Sequence, residues 1–165
     1  MAEIQSFALQ SGAQPHTLVL GSIPGVASLQ AVQYYAHPRN AFWPIMSAFY
    51  GFELDQPYQQ RLHALLGRGV ALWDVLQQCQ RPGSLDSAIV TDSIVPNPID
   101  DWLQQQPQVR RILLNGGKAM QVFAKHFAHL LANPDLRIAQ LPSTSPAYAA
   151  MTLAEKQRRW HAQLV

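Results

Sequence analysis

Three short stretches of this 165-residue chain combine residue types that can do chemistry together. The first is Tyr34-Tyr35-Ala36-His37-Pro38-Arg39-Asn40-Ala41-Phe42-Trp43. It sets aromatic faces, on which a flat polar ring can stack, beside an imidazole, a guanidinium and a carboxamide. Asn40 carries both a donor and an acceptor, so it can orient a water or a base edge, although it is too weak a base to deprotonate water outright. Helix capping would use the same side chain, because Asn40 precedes a stretch of helical character. Tyr35 lies in a Pro/Arg/Asn loop, where stacking is open to it, whereas Phe42 and Trp43 read as core. The second stretch is Gly21-Ser22-Ile23-Pro24-Gly25, directly after the apolar Leu18-Val19-Leu20. Glycines there allow a ligand to approach the backbone closely, and a plain strand-to-helix turn has the same composition. Their spacing is neither GxGxxG nor a Walker loop, and no Lys-Ser/Thr follows, so a nucleotide-cofactor site is unsupported. The third is Ser143-Thr144-Ser145-Pro146, whose small hydroxyls and backbone amides suit a phosphate or an ordinary Ser/Pro turn.

These stretches need elements to hold them. Thr17–Leu20, Gly69–Trp73, Val109–Leu114 and Arg137–Leu141 read as strands. They end at Gly21-Ser22, Asp74, Asn115-Gly116-Gly117 and Pro142-Ser143. Between them, Ala41–Tyr50, Gln59–Leu66, Asp100–Gln106, Lys118–Leu131 and Thr152–Leu164 read as helices, the last with Thr152 as N-cap and Glu155 at the capping-box position. Ser93–Pro98 reads as a loop. Alternating strands and helices predict an α/β fold: three α/β/α layers with a central, mostly parallel four-stranded sheet. The carboxyl ends of such strands share one edge, where these folds bind ligands. Gly21-Ser22, Asp74, Asn115 and Ser143-Thr144-Ser145 are therefore expected to line one crevice.

Composition narrows the field. An apolar fraction of 48% with only 13% charged residues describes a globular chain, expected as a single domain over residues 1–165. No apolar run reaches membrane-spanning length and the start lacks a signal-peptide pattern, which predicts a cytoplasmic protein. Cys79 is the only cysteine, which excludes an internal disulfide, a cysteine zinc site and a four-cysteine iron–sulfur cluster. The histidines have no ligand-like spacing, so neither metal nor cofactor is expected. A net charge of +2 is no strong footprint for nucleic acid. Arg39, Arg110-Arg111, Lys118 and Lys156-Gln157-Arg158-Arg159 would either converge in space or stand as ordinary solvated helix charge.

Taken together, the motifs resemble a known family. Gly-Ser-Ile-Pro-Gly followed by Ala-His-Pro-Arg-Asn-Ala-Phe-Trp is similar to the first motif of the uracil-DNA glycosylase superfamily, nearest its mismatch-specific branch and the related hypoxanthine-DNA (deoxyinosine) glycosylases. Leu72-Trp73-Asp74-Val75 with Arg81-Pro82-Gly83-Ser84-Leu85-Asp86-Ser87 resembles the segment after the second strand of the mismatch branch. Leu114-Asn115-Gly116-Gly117-Lys118 resembles its Asn-Gly-Lys turn, and Leu141–Pro146 its DNA-penetrating loop. One residue departs from the pattern. Where the uracil and mismatch branches keep a water-positioning Asp or Asn in the first turn, this chain has Ile23. An apolar residue there is usual in the hypoxanthine branch, whose water-positioning Asn maps to Asn40.

The resemblance implies a monofunctional glycosylase acting on DNA that carries a deaminated base, most simply hypoxanthine, as a cytoplasmic, nucleoid-associated monomer without cofactor. It implies Asn40 as the catalytic residue. The base pocket would comprise Gly21, Ser22, Ile23, Pro24, Tyr35, His37, Asp74 and Asn115. DNA contacts would come from Ser143, Thr144, Ser145, Pro146, Tyr148 and Lys118, and from the amides around Ser143 and Ser145. His37 would donate to the leaving base or brace its loop. A uracil/thymine mismatch glycosylase, a non-catalytic binder of damaged DNA or nucleobase, and an unrelated doubly wound enzyme for a phosphorylated ligand are the alternatives.

Overall fold

In the computed structural model, which describes residues 3–165, the chain runs through seven strands and seven helices. They are β1 (Glu3–Gln5), β2 (Thr17–Gly21), α1 (Val26–Ala31), α2 (Phe42–Tyr50), α3 (Tyr58–Gly67), β3 (Val70–Asp74), β4 (Leu76–Gln80), β5 (Val95–Pro96), α4 (Ile99–Gln105), β6 (Arg111–Asn115), α5 (Gly117–His126), α6 (Ala128–Leu131), β7 (Arg137–Leu141) and α7 (Leu153–Leu164). The central sheet has the order β3-β2-β6-β7, and every pair in it is parallel. Its strands are short; β2 and β3 are buried throughout and β6 at its centre, as a helix-covered parallel sheet requires, while the edge strand β7 exposes Arg137 and Gln140.

Side-chain alternation assigns the two faces. Leu18, Leu20, Ala71, Trp73, Ile112 and Leu114 join one core with Ile99 of α4, Val122 and Phe123 of α5, and Leu130 of α6. Val19, Val70, Leu72 and Leu113, offset by one residue, join the other with α2, α3 and α7 through Phe42, Ile45, Leu65 and Trp160. This is the three-layer α/β/α arrangement that the sequence predicts. No helix among the described residues is long and apolar enough to cross a membrane.

Several elements differ from expectation. The predicted helix Lys118–Leu131 breaks at Phe127, which leaves helical geometry (φ −132°, ψ 35°) and packs its ring on Phe123 at 5.5 Å. Burial of that ring outweighs helix continuity. β1, β4 and β5 form a second, antiparallel sheet with the order β1-β4-β5. It converts part of the expected Ser93–Pro98 loop into a two-residue strand. Helix α1 is short, ends at Val32 in the left-handed region (φ 54°) and presents no apolar period long enough to read. At the other end of the chain, Thr152 caps α7 as expected, its hydroxyl accepting from the Glu155 amide at 3.2 Å.

Candidate active site

The carboxyl ends of β2, β3, β6 and β7 open into a cleft of about 660 Å³, within the range of small-molecule pockets. Every residue that the sequence assigns to the site lines it: Gly21, Ser22, Ile23, Pro24, Tyr35, His37, Asn40, Asp74, Asn115, Lys118, Ser143, Thr144, Ser145, Pro146 and Tyr148. Residues with no assigned role line it too, chiefly Phe7, Ser28, Tyr34 and the segment Ser84–Ser87. The Ser84–Ser87 segment falls in the run Arg81–Ser87 that carried one of the motifs. Phe7 has no sequence signal, because it arrives from the irregular stretch after β1.

The floor of the cleft is built at Gly21. A Cβ on this residue would lie 2.5 Å from Asp74 Oδ1 and 3.4 Å from Tyr35 Oη. Only a glycine lets the carboxylate and the phenol converge there. Asp74 is 3% exposed and its Oδ2 has no hydrogen-bond partner among the described residues. Burial, and after it the charge of Asp86, push the Asp74 carboxyl up to about 7, with Arg81 offsetting part of this. Asn97 holds the strand end in place, its Nδ2 donating to the Asp74 backbone carbonyl at 2.8 Å.

The Tyr35 hydroxyl is also buried without a partner of good geometry. Burial and the nearby Asp74 charge push it well above the usual phenol range, and the Asn115 side chain offsets a little of that. Tyr35 adopts a left-handed backbone (φ 57°), which is costly for an aromatic residue and is tolerated when the surroundings enforce it. Phe42 stacks on one face of its ring, with centroids 4.1 Å apart. A ligand can therefore use only the opposite face or the hydroxyl edge.

Asn40 stands on the wall. Its Oδ1 accepts from the Phe42 amide at 2.9 Å and its own amide donates to the His37 carbonyl at 2.9 Å. Both readings of this residue thus have a geometric basis. One lone pair of Oδ1 closes the turn into α2, while the other and the Nδ2 protons, which have no partner among the described residues, remain for the cleft. His37 braces the same turn, its Nδ1 accepting from the Arg39 amide at 3.0 Å. In the neutral ring that acceptor role leaves the proton on Nε2. Ile23 is 7% exposed and packs into the core with Leu20 and Trp73, so it offers water nothing.

Two staples tie the first turn to the 84–86 segment: Ser22 Oγ donates to Asp86 Oδ1 at 2.7 Å, and the Val26 amide donates to Ser84 Oγ at 2.8 Å. Opposite them, Thr144 is buried, with its amide, carbonyl and hydroxyl oxygen all engaged. Its hydroxyl accepts from Asn115 Nδ2 at 3.0 Å, its amide donates to Asn115 Oδ1 at 3.0 Å, and its carbonyl accepts from the Ala41 amide at 2.9 Å. The next amides are spent within the loop as well. Ser145 N donates to Ser143 Oγ, Ala147 N to Ser145 Oγ, and Tyr148 N to the Ser145 carbonyl. Of the hydroxyls and backbone amides that the sequence suggested, the loop therefore presents the serine O–H groups, while the Ser145, Ala147 and Tyr148 amides are occupied.

The basic residues do not converge. Arg111 sits at the amino end of β6, bonding the Gln163 and Val165 carbonyls at 2.6 and 3.0 Å, away from the cleft. Arg158 and Arg159 pair with Glu155 on the exposed side of α7. Of these residues, Lys118, in the first turn of α5, is the one that lines the cleft.

The chain has relatives among known proteins. Residues 10–164 match the family model described as the uracil DNA glycosylase superfamily. A protein named hypoxanthine DNA glycosylase from Methanosarcina acetivorans is 32% identical over 146 residues, covering 88% of this chain and 87% of that one. A protein of the same name from Methanosarcina barkeri is 37% identical over 103 residues, covering 62% of this chain and 64% of its own. The solution NMR structure of a candidate uracil DNA glycosylase from Methanosarcina acetivorans superposes with a TM-score of 0.81 at 29% identity, over 98% of this chain and 96% of that one. With a family match that runs from just before β2 to the end of α7, and so includes every strand end that builds the cleft, the chain belongs to the uracil DNA glycosylase superfamily.

Proposed function

We propose that this protein is a monofunctional DNA glycosylase that hydrolyses the N-glycosidic bond of a flipped-out deaminated base, with hypoxanthine the preferred leaving group. The observation that carries the reading is the pairing of Ile23 and Asn40. The first-turn side chain is committed to the core, and the carboxamide on the cleft wall retains unused hydrogen-bonding capacity. The names of the two Methanosarcina relatives, over 87% and 64% of their lengths, support the choice of base.

In this reading the damaged nucleotide leaves the stack, which costs a few kcal/mol and least for a mispaired base. The C1′–N9 bond breaks with its electron pair leaving on the purine. A water held by Asn40 then adds to the cationic C1′ and loses a proton, so a weak base suffices. The proton that the water loses balances the one the leaving purine takes up at a ring nitrogen, the two exchanging through solvent, while His37 Nε2–H donates a hydrogen bond to the departing base. A hypoxanthine edge presents a C=O beside an N–H. Asp74 as carboxylate accepts from that N–H, and Tyr35 Oη donates to the carbonyl. Adenine presents the reverse pattern, so the same two groups disfavour it. Fixed donors and the DNA phosphates stabilise the charges that develop in the transition state. Ser143, Ser145 and Lys118 hold phosphates, and Tyr148 stands by the vacated space. All of these groups come from one chain, so a monomer suffices, with nucleoid DNA as partner.

The test is alkali-revealed strand cleavage of duplexes containing inosine, xanthine, uracil or a guanine–thymine mismatch. Inosine is expected to be cut fastest. Faster cutting of uracil or the mismatch would move the assignment to that branch, and no cutting of any duplex would leave a binder.

A further inference from the structure

The basic run Lys156–Arg159 holds one residue that the DNA reading does not absorb. Lys156 is only 5% exposed, whereas its neighbours Arg158 and Arg159 reach solvent. Its Nζ donates to the Tyr148 carbonyl at 2.8 Å and, at a longer 3.4 Å, to the Ser145 carbonyl. It also lies 5.2 Å from the centre of the Tyr148 ring, a cation–π arrangement. One turn further along α7, Trp160 Nε1 donates to the Pro142 carbonyl at 2.9 Å. Helix α7 thus grips the Ser143–Tyr148 loop at its root and at its tip.

A buried ammonium is expensive to desolvate, so the two carbonyls are what retain its charge. Their orientation matters for the outer face of the loop. Both oxygens point inward to Lys156, so the negative ends of those peptide dipoles turn away from the side on which a phosphate would approach. A positive charge stands behind them. Among the residues lining the cleft, Lys118 is the one lysine or arginine that can offer an anion a full charge. The same contact fixes the half-exposed Tyr148 ring, 38% accessible at the cleft mouth.

We infer that Lys156 is a positioning residue for DNA: it sets the conformation and polarity of the Ser145–Tyr148 tip from beneath without touching the nucleic acid. The inference rests on the reading of this loop as the DNA-gripping element. Fluorescence anisotropy with a labelled inosine duplex at several salt concentrations, paired with single-turnover excision, tests it. Lys156→Met is expected to weaken binding by about tenfold. The rate at saturating DNA should stay within about threefold, and Lys156→Arg should restore most of the affinity. The slope of log Kd against log salt is expected to stay at the wild-type value, because no phosphate contact is lost. A slope smaller by about one would make Lys156 a direct phosphate ligand and overturn the inference. Wild-type affinity in a folded Lys156→Met protein would overturn it too, as would equal losses in the Met and Arg variants. Should the Met variant fail to fold, Lys156→Gln, a neutral donor of similar reach, takes its place with the same readouts. If the wild type binds DNA but excises no base, the glycosylase reading fails while the binding and salt data still decide the role of Lys156.

Discussion

The floor and the rim of the cleft treat hydrogen bonds in opposite ways. At the floor, Asp74 Oδ2 and Tyr35 Oη are buried with no partner. At the rim, Thr144 spends its amide, carbonyl and hydroxyl, and the Ser145, Ala147 and Tyr148 amides are all engaged. An unpartnered buried polar group costs about 1–3 kcal/mol, so the floor is kept at the expense of stability. Such groups are rare enough in folded proteins to need an explanation, and a ligand that completes them is the simplest one. The Ser145, Ala147 and Tyr148 amides are tied within the loop before anything binds. The polar capacity reserved for a ligand is therefore concentrated where a base would sit, and mechanical order where a backbone would be held.

Substitutions can break or sharpen that contrast. The largest effect is expected at the wall between the two regions. Asn40→Ala should reduce excision of hypoxanthine by about 100-fold or more, with DNA affinity within about threefold, as read by single-turnover kinetics and anisotropy. Retained activity would remove Asn40 from its role.

Asp74→Asn should act in two directions, raising stability and lowering excision. The folded carboxyl titrates at about 7, well above its ordinary range, so the fold favours the neutral acid. Its favourable contribution is complete below about pH 4 and is lost as pH rises through about 7. Thermal melts should show the two proteins alike near pH 4. The Asn variant should then gain up to a few kcal/mol by pH 8, with no further gain above that. Excision by the wild type should rise over the same interval, as the carboxylate forms to accept the base N–H, and the variant should lose that limb. A pH-independent stability gap would mean that Asp74 carries no raised pKa.

Asn115→Ala takes away both bonds to Thr144 and should cost about 1–3 kcal/mol, loosening the rim and also removing the carboxamide beside the Tyr35 hydroxyl. Urea unfolding measures the cost, and the expected functional sign is weaker DNA binding. Gly21→Ala is the smallest change and acts only on the floor. The new methyl meets Asp74 Oδ1 at 2.5 Å, so the carboxylate must swing aside at a cost of about 1–3 kcal/mol. Base discrimination should fall while melting drops by only a few degrees; unchanged discrimination would argue that Asp74 does not read the base.

The sheet was legible because buried parallel strands are short apolar runs with polar ends, as at Leu18–Leu20 and Ile112–Leu114. The cleft was legible for the same reason, since strand ends converge on one edge whatever the detail. What the residues hid was pairing across long separations. β1 and β4 meet over some seventy residues with sequences, Glu-Ile-Gln and Leu-Gln-Gln-Cys-Gln, that carry no strong period. The spent amides of the Ser143–Tyr148 loop were hidden too. Serine composition announces hydroxyls and amides but not that each would satisfy the other. Lys156, in the run Lys156–Arg159, read as either convergent or solvated charge because nothing in the run sets it apart from Arg158 and Arg159, and only the folded loop shows what lies above it.

The bond from the Ala41 amide to the Thr144 carbonyl links the residue after Asn40 to the root of the loop. Under the glycosylase reading, a single backbone bond thus joins the grip on DNA to the side chain that would hold the water, so a duplex seated out of register would carry the nucleophile out of line with C1′, with no further element needed to relay the error.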